Sequence, residues 1–275
     1  MKIRKLTCIY FSPTGTTETI IKGIAQGLNT EQVDFVNITK QHNHKDVSQK
    51  FNDDLVIIGT PVYYGRVPEI VAEYLTTLEP EKTPVVLTVV YGNRAYEDSL
   101  RELNDIAISR NFIPVAGGVF VAEHTYSSSV YPIANGRPDH IDLQKSKAFG
   151  VAIQDKICNL RSLEELPLLE IPGESPYVVP DNLHMIEKAR SFVDLTPETD
   201  ILKCTQCGDC AEACPTEAIS HEGFSQTNKW KCIICYACIK SCPEDARQMK
   251  DSNFQAAIQM LQQKCQVRKE PEWYL

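Results

Sequence analysis

Eight cysteines fall in two runs of identical spacing in the last third of the chain. The first run is Cys204-x-x-Cys207-x-x-Cys210-x-x-x-Cys214-Pro215 and the second is Cys232-x-x-Cys235-x-x-Cys238-x-x-x-Cys242-Pro243, so each cysteine recurs 28 positions later. Eight thiols in two such frames are what two [4Fe–4S] cubanes require. Ligands at i, i+3 and i+6 let one tight loop hold three corners of a cubane, and the fourth cysteine, on the following turn, reaches the other cluster. This reading assigns Cys204, Cys207, Cys210 and Cys242 to one cluster and Cys232, Cys235, Cys238 and Cys214 to the second. Pro215 and Pro243 fix φ just after the crossing ligand and turn the chain away. Zinc would favour two CxxC pairs with one long spacer. A disulfide framework would suit a short secreted chain.

A second constellation lies near the start. After an apolar run comes Ser12-Pro13-Thr14-Gly15-Thr16-Thr17, opening a helical pattern. Hydroxyls and a glycine between a strand and a helix N-terminus build a cup of N–H donors that can hold a phosphate without a lysine. Taken alone, the same stretch is equally an ordinary capped turn. Neither GxxxxGK[ST] nor GxGxxG is present. Two later strand ends carry matching material: Gly59-Thr60-Pro61-Val62-Tyr63-Tyr64-Gly65, and Tyr91-Gly92-Asn93-Arg94-Ala95-Tyr96-Glu97-Asp98. Glycines admit close backbone approach, and tyrosines offer flat faces to a ring system.

The elements that must position these groups follow from periodicity. Strands are expected at 6–11, 33–37, 55–60, 85–91 and 115–121. Between them, Ile20, Ile24 and Leu28 share one helical face, Ile70, Tyr74 and Leu78 another, and Leu100, Leu103 and Ala107 a third. A further helix is expected over 139–159, and a weaker one over 40–49, whose His42 and His44 read as solvated. Apolar strands each followed by a helix mean a parallel sheet covered on both faces, with its ligand at the carboxyl ends of the strands. Residues 161–200 hold five of the 16 prolines and read as an extended linker with a short helix around 182–192. Phe254, Ile258 and Leu261 suggest a closing helix, followed by a tail whose Trp273 and Tyr274 dock on the protein.

The first 158 or so residues resemble flavodoxins. That resemblance implies FMN, with a phosphate loop at Ser12, Pro13, Thr14, Gly15, Thr16 and Thr17 and a ring-stacking aromatic at Tyr63, after Pro61 and Val62. It places a second aromatic at Tyr96, two before Asp98, and brings Tyr64, Gly65, Tyr91, Gly92, Asn93 and Arg94 to the ring edge. Residues 201–250 resemble a bacterial two-cluster ferredoxin, and the whole chain resembles the fused flavodoxin–ferredoxin proteins of anaerobic bacteria. The implied fold is α/β: a doubly wound, five-stranded parallel sheet followed by a small α+β cluster domain. The expected division is 1–160 for the FMN domain, 161–200 for the linker, 201–250 for the cluster domain and 251–275 for a closing helix and tail. Flavodoxins commonly place acids near the flavin, whereas Arg66 and Arg94 stand in these loops. Two guanidiniums there would stabilise an anionic reduced flavin and make its potential less negative; the alternative is that both pair with nearby acids.

The stretch 123–138 fits neither template, and loops this long in a compact domain carry function or are disordered. It starts beside the expected flavin site and could cover the ring, dock the cluster domain or hold a substrate; His124, Tyr126 and Arg137 are its speculative catalytic side chains.

Composition bounds the rest. A chain of 275 residues with 43% apolar side chains fills two domains, and its formal charge of −8 argues against nucleic acid as a partner. Cys8, Cys158 and Cys265, outside the two frames, are expected to be buried, inert thiols. The opening Met1-Lys2-Ile3-Arg4-Lys5 precedes an apolar run of only six residues with no small-residue cleavage site, so no signal peptide and a reducing cytoplasm are expected. No apolar stretch approaches the roughly 18 residues of a membrane span. The functional expectation is electron transfer between one- and two-electron partners through two clusters and FMN, with a redox protein or small-molecule acceptor outside. An FMN-dependent reductase is the second reading and a cluster-gated redox sensor the third.

Overall fold

The structure, a computed structural model, describes residues 2–40, 51, 55–178 and 193–275. The helices expected over 40–49 (Lys40 apart), with His42 and His44, and over 182–192 lie outside the described residues.

Five parallel strands form where the apolar runs stand: β1 (Lys5–Tyr10), β2 (Gln32–Asn37), β3 (Leu55–Pro61), β4 (Thr83–Tyr91) and β5 (Phe112–Val121). Their order is 2-1-3-4-5, the doubly wound order whose reversal between β1 and β3 opens a crevice at the strand ends. The expected five-stranded sheet has a sixth member. The tail returns as β10 (Glu272–Tyr274), antiparallel to β5, pairing Trp273 with Gly118. The tail is too short and polar for periodicity to mark it as a strand; an open β5 edge supplies the template.

Alternation along the strands splits the core in two. Leu6, Cys8, Leu55, Ile57, Val86 and Phe120 point to one face, under α1 (Thr16–Leu28) and α4 (His140–Cys158). Ile9, Val56, Ile58, Val85, Leu87 and Val119 point to the other, under α2 (Glu69–Thr76) and α3 (Ser99–Ser109). The helices lie where the 3.6-residue spacing put them, with Val71 and Leu75 rather than Ile70 buried on α2. Helices α1 and α4 cross at glycines: a Cβ built on Gly27 would stand 2.1 Å from the Lys147 carbonyl oxygen, and one on Gly150 2.1 Å from that of Ile24.

Asp139 starts α4 in a capping box with Asp142. Asp142 is fully buried and takes both arms of Arg137, at 2.8 and 2.5 Å, with Arg268 at 3.1 Å. Arg137 also donates to the Lys269 carbonyl at 2.9 Å. Arg137 is therefore an architectural residue that ties the tail to α4, and the catalytic role considered for it is withdrawn.

The described part of the linker is strapped to the first domain. Glu174 and Val178 donate their amides to Asp98, the Tyr177 hydroxyl donates to Asp105 at 2.9 Å, and Ile171 enters the core. Of the three cysteines outside the frames, Cys8 and Cys265 are buried as expected, and burial pushes the Cys8 thiol up to about 12, with Asp34 adding. Cys158 is instead exposed, at the last turn of α4, on the side away from the core that its neighbour Ile157 enters.

The second half is small and symmetric. Strand β6 (Glu198–Thr199) pairs with β9 (Arg247–Gln248), and β7 (Ile219–Ser220) with β8 (Gly223–Thr227). One-turn helices α5 (Asp209–Glu212) and α6 (Ala237–Lys240) follow the cysteine loops, and α7 (Ser252–Lys264) is the expected closing helix.

The Arg137–Asp142 pair yields a stability test. Replacing Asp142 by Ala strands a buried guanidinium and should cost about 3–5 kcal/mol. Urea unfolding of the full chain measures it; a loss below ~1 kcal/mol would mean that Arg268 and water compensate the charge.

Candidate cofactor sites

Both cysteine loops have the same backbone. Gln206 and Ile234 have φ of 58° and 54°, Gly208 and Tyr236 of 89° and 61°, and Glu217 and Asp245 of 51° and 48°, each pair 28 residues apart. These left-handed residues wrap each loop around a centre. Cys204, Cys207, Cys210 and Cys242, three from the first frame and the crossing ligand from the second, line one cavity with about 330 Å³ of empty space. The complementary set also converges. The Cys235 thiol is pushed up by burial first, against the Ala237 amide, with Cys238, Cys232 and Cys214 adding to the rise. Each crossing cysteine accepts an amide at 3.2 Å, Cys214 from Ala218 and Cys242 from Ala246. Such N–H···S bonds hold a thiolate and tune a cluster's potential. All eleven cysteines are free thiols. Among the described residues no three His, Cys, Asp or Glu side chains close on a single ion, and the first set instead stands around a space, as cubane corners do.

The other site lies at the carboxyl ends of the parallel strands. The loop after β1 contributes Ser12, Pro13, Thr14, Thr16 and Thr17, the loop after β3 Pro61, Val62, Tyr63, Tyr64 and Gly65, and that after β4 Tyr91, Gly92 and Arg94. They line a single cleft with about 930 Å³ of empty space including its mouth. Gly15 caps α1 at φ 80°, its Cβ position facing open space, while Ser12 Oγ accepts the Glu18 amide and Thr39 Oγ1 accepts that of Ser12. One end of the cleft is thus hydroxyl and amide at the start of a 13-residue helix, and the other is aromatic. That donor set fits a phosphate at one end and a flat ring at the other.

Three expected members are placed elsewhere. Asn93 is buried with its amide on the Cys265 and Val267 carbonyls and its oxygen on the Lys269 amide, so it holds the tail. Tyr96 packs edge-on against Tyr91 and bonds Tyr274 and Glu272, so it anchors β10. Asp98 receives the linker amides. The two arginines also separate. Arg66 turns away from the cleft to a bidentate pair with Glu102 at 2.8 and 2.7 Å, under the Tyr177 ring. Arg94 lines the cleft but pairs with Glu97 at 2.8 Å. Both guanidiniums carry a carboxylate, and the expectation of two free positive charges at the ring is corrected.

The remaining walls come from regions that periodicity left unassigned. Glu123, His124, Thr125 and Tyr126 line the cleft, joined by Ile233, Ile234 and Leu261 from the cysteine half. Thr125 Oγ1 donates to the Cys235 carbonyl at 2.5 Å, Tyr126 packs at a tilt against Tyr236 at 4.7 Å and edge-on against Phe254 at 5.2 Å, and Lys240 pairs with Glu123 at 2.7 Å. Burial pushes the Tyr63 phenol well above its usual value, with the Cys235 thiol the next cause. Of the fates considered for the 123–138 stretch, two are seen together: its first residues wall the cleft, and the same residues dock the cysteine domain.

Comparison with known proteins agrees with this division. A family model described as a flavodoxin domain matches residues 7–107, and one described as a 4Fe-4S dicluster domain matches residues 203–247. No curated protein matches the chain. Among solved structures, a flavodoxin from the domain Archaea is 15% identical with a TM-score of 0.37, covering 56% of this chain and 99% of that one. The flavodoxin of Streptococcus pneumoniae TIGR4 is 16% identical with a TM-score of 0.38, covering 55% and 99%. That of Megasphaera elsdenii is 16% identical with a TM-score of 0.38, covering 55% and 98%. The chain is a flavodoxin-type domain joined to a 4Fe–4S dicluster domain, a combination that implies FMN, iron–sulfur clusters and a redox partner. It fits an electron-transfer role for an iron–sulfur flavoprotein. Among the described residues no helix is long and apolar enough to cross a membrane.

The cleft gives a pH test. His124 accepts the Tyr126 amide at Nδ1, and burial, then Arg94 and Lys240, lower its pKa from 6.5 to about 4. The unfolded chain therefore binds the extra proton first, so stability is complete above pH 6.5 and falls as the pH drops toward 4. Denaturation of the full chain between pH 7 and 4 should show this slope flattened in His124→Phe; an unchanged slope would assign it to other groups.

Proposed function

We propose that the chain relays single electrons between its two clusters and FMN, joining a one-electron partner to a two-electron one. When bound, the clusters supply one-electron transfer and FMN supplies one- or two-electron storage. One observation carries the reading: Ile233 and Ile234, between the first two cysteines of the second frame, form a wall of the flavin-type cleft. The second-frame cluster, held by Cys232, Cys235, Cys238 and Cys214, is then the inner one. The first frame faces outward: Thr205, Gln206 and Cys207 are exposed, and Cys204, Cys207, Cys210 and Cys242 hold the cluster that meets an external redox protein. Ser12, Thr14, Gly15, Thr16 and Thr17 are the residues proposed to hold the phosphate, and Tyr63, Tyr64, Tyr91, Gly92 and Arg94 the ring.

The reductase reading gave its substrate the 123–138 loop as a wall; residues 123–126 do wall the cleft, but Thr125 and Tyr126 are also tied to the cluster domain, which favours the relay. We read the compartment as cytoplasmic, supported by eleven free thiols.

Cysteine variants test the order. Cys214→Ser should lose the inner cluster and keep FMN, leaving the outer cluster reducible by a one-electron donor while stopped-flow flavin reduction slows at least 100-fold. Cys242→Ser should lose the outer cluster. Flavin reduction at the wild-type rate in Cys214→Ser would overturn the proposed order.

A further inference from the structure

Among the described residues the largest fully buried side chain is that of Arg247, 2% exposed, on β9 between the two cysteine sets. Its position in the repeat is occupied by Ile219 in the other half, so one of two equivalent core sites carries a charge. The guanidinium is gripped by the repeat itself. Nη1 donates to Thr199 Oγ1 at 2.6 Å and Nη2 to Thr227 Oγ1 at 2.5 Å, two threonines 28 residues apart, with the Phe224 carbonyl at 3.4 Å from Nη1. All three acceptors are neutral. Nε is buried without a partner, and among the described residues no carboxylate pairs with the group.

An arginine does not shed its proton, so this cation must be balanced by something else. Two neighbours qualify. Arg247 lines the cavity of Cys204, Cys207, Cys210 and Cys242, and its Nη2 lies 4.0 Å from Cys238 Sγ of the other set. Four thiolates on a cubane of core charge about +2 leave about −2 on each cluster, and reduction adds one more negative charge. A fixed cation favours that added electron, most at the cluster it touches.

We propose that Arg247 is a built-in counter-charge shared by the two clusters, which raises both potentials and raises more that of the cluster held by Cys232, Cys235, Cys238 and Cys214. In the relay order proposed above, on which the direction depends, it draws an electron arriving at the outer cluster inward toward the flavin. The electron comes from the external one-electron donor, no bond is made or broken, and no proton is required.

The test is an anaerobic redox titration of the full chain, followed by electron paramagnetic resonance, on wild type, Arg247→Met and Arg247→Lys, each with its iron content measured. Arg247→Met should lower both cluster midpoints, with the larger drop in the couple that Cys214→Ser abolishes. Arg247→Lys, which keeps the charge, should stay close to wild type. Unchanged midpoints in fully loaded Arg247→Met, or an equal drop in both variants, would overturn the proposal while leaving the relay order standing. A failed Cys214→Ser result would remove the order and leave the midpoint shift intact. Should Arg247→Met not take up iron, the neutral but polar Arg247→Gln takes its place under the same rule. If neither variant takes up iron, the residue is needed for assembly and the tuning role fails.

Discussion

Everything in this molecule turns on a dry seam between the second cysteine loop and the ligand end of the parallel sheet. Ile234, Tyr236, Phe254 and Ile258 are buried there with Ile133, and Tyr126 and Tyr131 pack against them. Each fully buried aliphatic side chain contributes about 1.5–3 kcal/mol, and each aromatic pair about 0.5–1.5 kcal/mol beyond its area. The ion pair at the same seam, Lys240–Glu123, has side chains 34% and 23% exposed and is worth about 1 kcal/mol at most. Apolar packing therefore holds the two halves together. A joint of this kind is insensitive to salt and leaves side chains rather than water between the two sites.

A seam of that size would still be easily opened if the halves were joined only by a proline-rich tether. The chain prevents this by leaving the sheet once and returning to it twice. The strap up to Val178 is pinned by the Asp98 carboxylate and by Tyr177, and the tail comes back as a strand on β5 with Trp273 stacked on Phe149 at 5.7 Å. Between α7 and β10, Asn93 grips the Cys265 and Val267 carbonyls and Arg268 reaches Asp139. The second domain is clamped by the 123–138 loop and by chain on both sides of it, which shortens the effective tether and raises the local concentration of one site at the other.

Much of this is legible in the sequence. Strands that are apolar throughout can only be buried on both faces, and the loops at their ends then fall on one side, so Ser12, Tyr63 and Tyr91 meet for topological reasons. The two ligand sets were legible because 28-residue spacing repeats the loop. What failed was partner choice for polar side chains. Asn93, Tyr96, Asp98 and Arg66 sit in the right loops, but their partners come from far along the chain, where no local pattern reaches: the tail, the linker and Glu102 supply them.

 

The separation is 172 to 178 residues for Asn93 and Tyr96 against the tail, 76 to 80 for Asp98 against the linker, and 36 for Arg66 against Glu102. Periodicity reads neighbours within a turn or two and is blind at such range.

A further signal in the sequence lies in how the two halves of the repeat differ. The backbone repeats because cubane geometry demands it, so side chains at equivalent positions are free to record what each loop faces. Between the first two cysteines stand Thr205-Gln206 in one frame and Ile233-Ile234 in the other, and Gly208 answers to Tyr236. The polar pair is exposed, while Ile234 and Tyr236 are 2% and 6% exposed. Left on an open surface, an apolar loop of this kind would cost solubility. It implies a covering surface, and within one chain the nearest candidate is the cleft at the strand ends. The same comparison sets Arg247 against Ile219, a difference in charge rather than in burial. Symmetry in this domain fixes where the clusters sit; the departures from symmetry give them a direction.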